Sequence, residues 1–141
     1  MSGINLLLID DEVGFIETMA KRLGRRGFVV HQASSAESGF QVLAREAVQV
    51  VVLDVRMPGI DGLTALEVIK RDHPAVEVIL LTGHASLEAC TTGMDRGAFD
   101  YLLKPASLEE LIYKVEDAAR RGALWSDDGS TRSSDRGGAG R

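Results

Sequence analysis

VQVVVLDVRMPGIDG, residues 48–62, decides the fold. Val48 to Leu53 is the most β-branched run in the chain, apolar with the single exception of Gln49. Such a run predicts a strand covered on both faces, as central strands of parallel sheets are. It stops on Asp54, and Met57, Pro58 and Gly59 then make a loop. A helix follows, carrying Leu63, Leu66, Ile69 and Lys70 on helical spacing until His73 and Pro74 end it.

The same strand-then-helix unit recurs on either side. Ile4–Ile9 reads as a strand, followed by a helix with Phe15, Met19 and Leu23 at i, i+4, i+8 that ends near Gly24 and Gly27. Phe28–Gln32 is a second strand, and Ser34 with Glu37 forms a capping-box signature before a helix bearing Phe40, Val42 and Leu43. Val76–Leu81 is a fourth strand; Ser86 opens a helix that Gly93 and Gly97 shorten and make easy to shift. Tyr101–Leu103 is a short fifth strand. Ser107 with Glu110 gives a second capping box, ahead of a stripe of Leu108, Leu111, Ile112 and Val115. Five such units define an α/β fold: a doubly wound five-stranded parallel sheet with five helices on its two faces.

Parallel strands bring their carboxyl ends to one edge, where open α/β sheets bind ligands. Here the strands end on Asp10 and Asp11, on Asp54, on Thr82 and on Lys104. Three carboxylates around one point repel one another unless a cation sits among them, and Mg²⁺ suits an all-oxygen set. An unpaired carboxylate between Leu53 and Val55 is expensive to bury, so Asp54 needs chemistry or a partner. A hydroxyl at Thr82 can bond a phosphoryl oxygen, and the Lys104 ammonium can pair with the carboxylates at rest and with phosphoryl oxygens later.

Composition narrows the classes. With 141 residues the chain fits one domain, residues 1–121, and from Gly122 the composition turns to Gly, Ser, Asp and Arg, so residues 122–141 read as a disordered polar tail with Trp125 as its one anomaly. A formal charge of −5 without a clustered basic face argues against nucleic-acid binding. A single cysteine, Cys90, excludes an internal disulfide and fits a reducing compartment. No run reaches membrane-spanning length and no signal segment is visible, which sets the expectation of a cytoplasmic protein. His31 and His73 have no partners nearby in sequence and receive no role.

Four motifs, IDDE (9–12), LDVRMPGIDG (53–62), LLTGHAS (80–86) and AFDYLLKP (98–105), resemble the receiver domains of bacterial two-component response regulators over Ile4 to Arg121. In subtype they are similar to receivers of nitrogen-regulation-type activators. The resemblance implies a CheY-like, flavodoxin-like sheet of strand order 2-1-3-4-5. It also implies that Asp54 accepts a phosphoryl group from the phosphohistidine of a sensor histidine kinase or a histidine phosphotransfer protein. Asp10, Asp11, Asp54 and the Arg56 backbone carbonyl would hold Mg²⁺, and Thr82 and Lys104 would act on the phosphoryl group. Tyr101 would be the switch aromatic, turning inward as Thr82 moves, and Arg56 and His84 would tune the lifetime of the acyl phosphate.

A downstream protein would read the face of the fourth helix, fifth strand and fifth helix, with homodimer formation on phosphorylation a further expectation. The protein would promote its own phosphotransfer and dephosphorylation rather than turn over as an enzyme. Two alternatives stand beside this reading: a phosphorylation-independent adaptor, and the isolated front end of a larger activator. A haloacid-dehalogenase-type phosphatase needs a second aspartate two residues after the nucleophile, where this chain has Arg56.

Overall fold

The computed structural model describes residues 3–57, 59–83 and 87–135, with side chains as far as Leu124. Strands β1 (Asn5–Ile9), β2 (Val29–Ala33), β3 (Val50–Asp54), β4 (Glu77–Thr82) and β5 (Asp100–Leu103) alternate with helices α1 (Val13–Arg25), α2 (Ala36–Arg45), α3 (Gly62–Asp72), α4 (Leu87–Asp95) and α5 (Leu108–Asp135). All strand pairs are parallel, in the order β2-β1-β3-β4-β5. β2 lies on one side of β1 and β3 on the other. The connections leaving β1 and β3 therefore diverge, which opens a crevice at the carboxyl edge between them.

Alternation along the strands splits the core in two. Leu7, Ile9, Val51, Leu53, Val78 and Leu80 face one layer with Ala36, Val42, Leu43, Ala65, Leu66 and Ile69 of α2 and α3. Leu6, Leu8, Val50, Val52, Ile79 and Leu81 face the other, covered by Ile16, Met19 and Leu23 of α1 and Leu111, Ile112 and Val115 of α5. β3 and β4 are buried along their whole lengths, as a continuous apolar run requires. Truncating one of these leucines removes roughly 2–5 kcal/mol.

Several local expectations shift. α1 buries Ile16, Met19 and Leu23, while Phe15 stays half-buried at the rim. The first capping box sits one residue later than Ser34 and Glu37. Ser35 accepts from the Ser38 backbone N–H at 3.1 Å, and the Ser38 hydroxyl is 3.3 Å from the Ser35 N–H. The second is half present, the Ser107 hydroxyl accepting from the Glu110 N–H at 3.1 Å. β2 runs Val29–Ala33 rather than Phe28–Gln32. Ser86, expected to open the fourth helix, lies outside the described residues.

Glycines serve packing in some places and backbone conformation in others. A Cβ on Gly93 would collide with Leu80 Cδ1, so Gly93 seats α4 on β4, a closer fit than the loosening role expected of it. Gly97, at φ +108°, takes the left-handed turn after α4. Gly122 lies inside α5, not at its end: it is buried, and a Cβ there would come 2.9 Å from the Ala75 carbonyl oxygen. α5 continues to Asp135. The Trp125 side chain and residues 136–141 lie outside the described ones.

One charged pair is built into the core. Glu77, at the start of β4, is only 5% exposed. Lys70 of α3 approaches its carboxylate to 3.5 Å and donates to the carbonyls of Pro74 (3.0 Å) and Val76 (2.8 Å). The ammonium thus closes the turn between α3 and β4 while neutralising the buried acid. Among the described residues no helix is long and apolar enough to cross a membrane.

Candidate functional site

Each strand ends where its apolar run ends, so the polar residues that follow collect at one rim. Asp10 leaves β1 with its N–H on the Ala33 carbonyl (3.1 Å), which keeps it against β2. Its Oδ1 accepts from the Glu12 N–H at 2.9 Å, an Asx-type turn leading into α1. Asp54 closes β3 in register with Leu81, and its Oδ1 accepts from the Arg56 N–H at 3.1 Å. Lys104 extends the sheet beyond β5, its N–H bonding the Thr82 carbonyl at 2.7 Å, and is joined to Pro105 by a cis peptide bond.

Asp10 and Asp54 are 2% and 6% exposed, whereas Asp11 is open to solvent. One oxygen from each of the three carboxylates lies within 4.8 Å of the others. Asp10 Oδ2 is buried and accepts no aligned hydrogen bond, although Lys104 Nζ stands 2.9 Å away as an ion-pair partner. A buried acceptor in that condition, beside two further carboxylates and an opening to water at Asp11, fits a hard divalent cation. Burial pushes the Asp54 carboxyl up to about 6, with the Asp10 charge adding to the effect and the Arg56 N–H and Lys104 working against it.

Lys104 sits among the acids. Its ammonium lies 2.7 Å from Glu12 Oε1, 2.9 Å from Asp10 Oδ2 and 3.8 Å from Asp54 Oδ2, and 4.9 Å from the centre of the Phe15 ring. Burial pulls its pKa down, but the bonds to Glu12 and Asp10 and the Asp54 charge outweigh that and hold it above the usual lysine value. Thr82 is fully buried, its hydroxyl donating to the Gly83 carbonyl at 3.2 Å. Tyr101 is half-buried on β5, its ring packed against the layer formed with α2 and α3. Arg56 is exposed at the mouth. His84 lies outside the described residues.

The structure thus brings Asp10, Asp11, Asp54 and Lys104 together, with Thr82 at the same sheet edge. Sequence reasoning missed Glu12 and Phe15 as partners of Lys104. The available signal was the acidic run of residues 10–12 just ahead of an aromatic, which spacing alone cannot aim at a residue 92 positions away.

A five-stranded parallel sheet of this order, with acids at its switch point and a lysine at the end of the edge strand β5 reaching back to them, defines a CheY-like receiver. The response regulator receiver domain family matches residues 6–116, and the chain belongs to it. Among its relatives, the transcriptional regulatory protein GlrR of Escherichia coli (strain K12) is 34% identical over 124 residues, covering 88% of this chain and 28% of GlrR. The DNA-binding transcriptional regulator NtrC of Proteus hauseri is 32% identical over 114 residues, covering 81% of this chain and 24% of NtrC. NtrX from Brucella abortus superimposes with a TM-score of 0.85 at 31% identity, over 91% of this chain and 30% of NtrX. A response regulator receiver domain protein from Clostridium thermocellum gives 0.83 at 33% identity, over 86% of this chain and 98% of that one. The chain spans about a quarter of the length of the curated regulators it matches. It is a receiver domain of the two-component response regulators, of the NtrC and NtrX type.

Proposed function

We propose that Asp54 is the phosphoacceptor of a Mg²⁺-dependent reaction with a sensor histidine kinase or a histidine phosphotransfer protein. The observation that carries this reading is the convergence of three carboxylates, two of them buried, on one point beside a lysine paired with the two buried ones. A carboxylate oxygen of Asp54 forms a bond to phosphorus while the phosphorus–nitrogen bond of the phosphohistidine breaks, the imidazole leaving with the electron pair. Asp10, Asp11, Asp54 and the Arg56 carbonyl would hold Mg²⁺, which would supply the positive charge that offsets the repulsion between these acids and a phosphoryl group. Lys104 binds a phosphoryl oxygen, and Thr82 leaves the Gly83 carbonyl to donate to another.

The added group brings about −1.5 to −2 charges and strong acceptor oxygens. Thr82 moving toward it frees space for Tyr101 to turn inward, which reshapes the face of α4, β5 and α5 that a downstream protein, or a second copy of the chain, reads. The share of each regulator that this chain spans also supports the reading of a receiver that serves a larger activator.

Intact mass after incubation with acetyl phosphate tests this. Wild type is expected to gain one phosphoryl group with Mg²⁺ and none without it, and Asp54→Asn none in either case. Labelling of Asp54→Asn to the same extent would move the acceptor elsewhere; equal partner binding by wild type and Asp54→Ala would favour a phosphorylation-independent adaptor. In the same assay, Arg56→Ala, which opens the mouth to water, is expected to change the half-life of the labelled state several-fold while leaving labelling intact. An unchanged half-life removes Arg56 as a tuning residue, and His84→Ala tests the other position in the same way.

A further inference from the structure

We infer that Glu12 is a resting-state latch on Lys104, holding the ammonium on the α1 side of the site and so slowing acceptance of a phosphoryl group by Asp54. The inference rests on the phosphoacceptor reading above and assigns Glu12 as a positioning residue that acts through Lys104. Of the three carboxylates around this ammonium, Glu12 is the nearest at 2.7 Å, against 2.9 Å for Asp10 and 3.8 Å for Asp54. Glu12 is also the one of the three that lies outside the convergent cluster of Asp10, Asp11 and Asp54. A cation taken up by that cluster would draw on Asp10 and Asp54 and leave Glu12 as the lysine's partner.

Two further contacts fix the latch. The Glu12 N–H is bonded to Asp10 Oδ1 at 2.9 Å, so the residue is tied to the rim from which its side chain reaches back. The Phe15 ring, one turn further on, stands 4.9 Å from the ammonium and supports it on the same side through a cation–π contact. Phosphoryl oxygens on Asp54 compete for the same donors, so the Glu12 bond must open as the group arrives. The Glu12 side chain is 63% exposed, which keeps the bond weak enough to break. A fully buried pair would immobilise the lysine; an exposed one only biases it.

Initial rates of Mg²⁺-dependent labelling by acetyl phosphate test the latch in wild type, Glu12→Gln, Lys104→Met and the double variant. In each, an Asp54 oxygen bonds to phosphorus as the phosphorus–oxygen bond to acetate breaks, and acetate departs with the electron pair. Glu12→Gln keeps the shape and removes the charge. It is expected to label about 2- to 5-fold faster than wild type at low salt, the scale of an exposed ion pair. That advantage should shrink toward one as salt screens the pair, and vanish in the Lys104→Met background. If Lys104→Met labels too slowly to measure, the salt series decides alone.

A Glu12→Gln rate equal to or below wild type, or an advantage that persists at high salt or without Lys104, overturns the latch. Wild type that never labels overturns the phosphoacceptor reading and the latch with it. Labelled wild type beside an unaccelerated Glu12→Gln overturns the latch alone.

Discussion

Replacing Gly62 by alanine is expected to lower the unfolding free energy by about 3 kcal/mol or more. A Cβ at this position would lie 2.6 Å from Val55 Cα, 2.7 Å from the Asp54 carbonyl oxygen and 2.8 Å from the Val55 carbonyl oxygen. All three are backbone atoms of the segment that carries the acceptor aspartate, and none can rotate away as a side chain would. The helix start cannot retreat freely either, because the Gly62 N–H is bonded to the Val55 carbonyl at 3.0 Å and Asp61 caps the same turn through the Thr64 N–H at 2.9 Å. Relief must come from displacing the end of β3, and the site with it. Urea unfolding of Gly62→Ala, compared with Gly24→Ala, checks this. Gly24 sits in the last turn of α1 with nothing within 4 Å of its would-be Cβ, so alanine there should be neutral or stabilising by up to about 1 kcal/mol. Equal stability of the two variants would refute the packing argument.

Without a divalent cation, Asp54→Asn is expected to be more stable than wild type at pH 7, by about 1–3 kcal/mol and roughly 5 °C in Tm. The folded protein raises the Asp54 pKa to about 6, through burial first and the Asp10 charge second. A raised acid pKa means that the folded state binds its proton more tightly than the unfolded chain does. The stability this proton contributes is complete below the ordinary carboxylate pKa of about 4 and is lost as pH rises through about 6. The two proteins should therefore melt together near pH 4 and diverge as pH climbs to 7, with wild type the one that falls. Saturating Mg²⁺ should reverse the order at pH 7, since binding to the folded state stabilises wild type by mass action and the amide removes one of the three acids. Parallel melting curves at every pH, or equal Mg²⁺ responses, would show that Asp54 is not held in an unfavourable charged state.

Most of the site was legible because a parallel sheet converts sequence position into spatial position: a polar residue that ends an apolar run arrives at the same edge as its counterparts. Asp10, Asp54, Thr82 and Lys104 needed no more than that. Partners that arrive from elsewhere were not legible. Glu12 reaches Lys104 across 92 residues, and Glu77 hides at the start of a strand whose pattern reads as apolar because Lys70 from the preceding helix bends over to neutralise it. Ser34 and Ser35 offer the same hydroxyl, and only the Ser38 side chain reaching back decides between them. The composition changes at Gly122, yet close approach to the Ala75 carbonyl makes glycine the residue that fits inside the helix there.

The Lys70 and Glu77 pair has a consequence for how this sequence can vary. Removing Lys70 alone leaves the buried Glu77 carboxylate uncompensated and takes the donor from the Pro74 and Val76 carbonyls, at a cost of about 3–5 kcal/mol, whereas removing Glu77 alone leaves the ammonium bonded to both carbonyls and costs less. Substitution at one position is therefore visible to selection only in the light of the other. Descendants of this chain can therefore lose Glu77 before Lys70 more easily than the reverse, so lineages that carry half of the pair should keep the lysine.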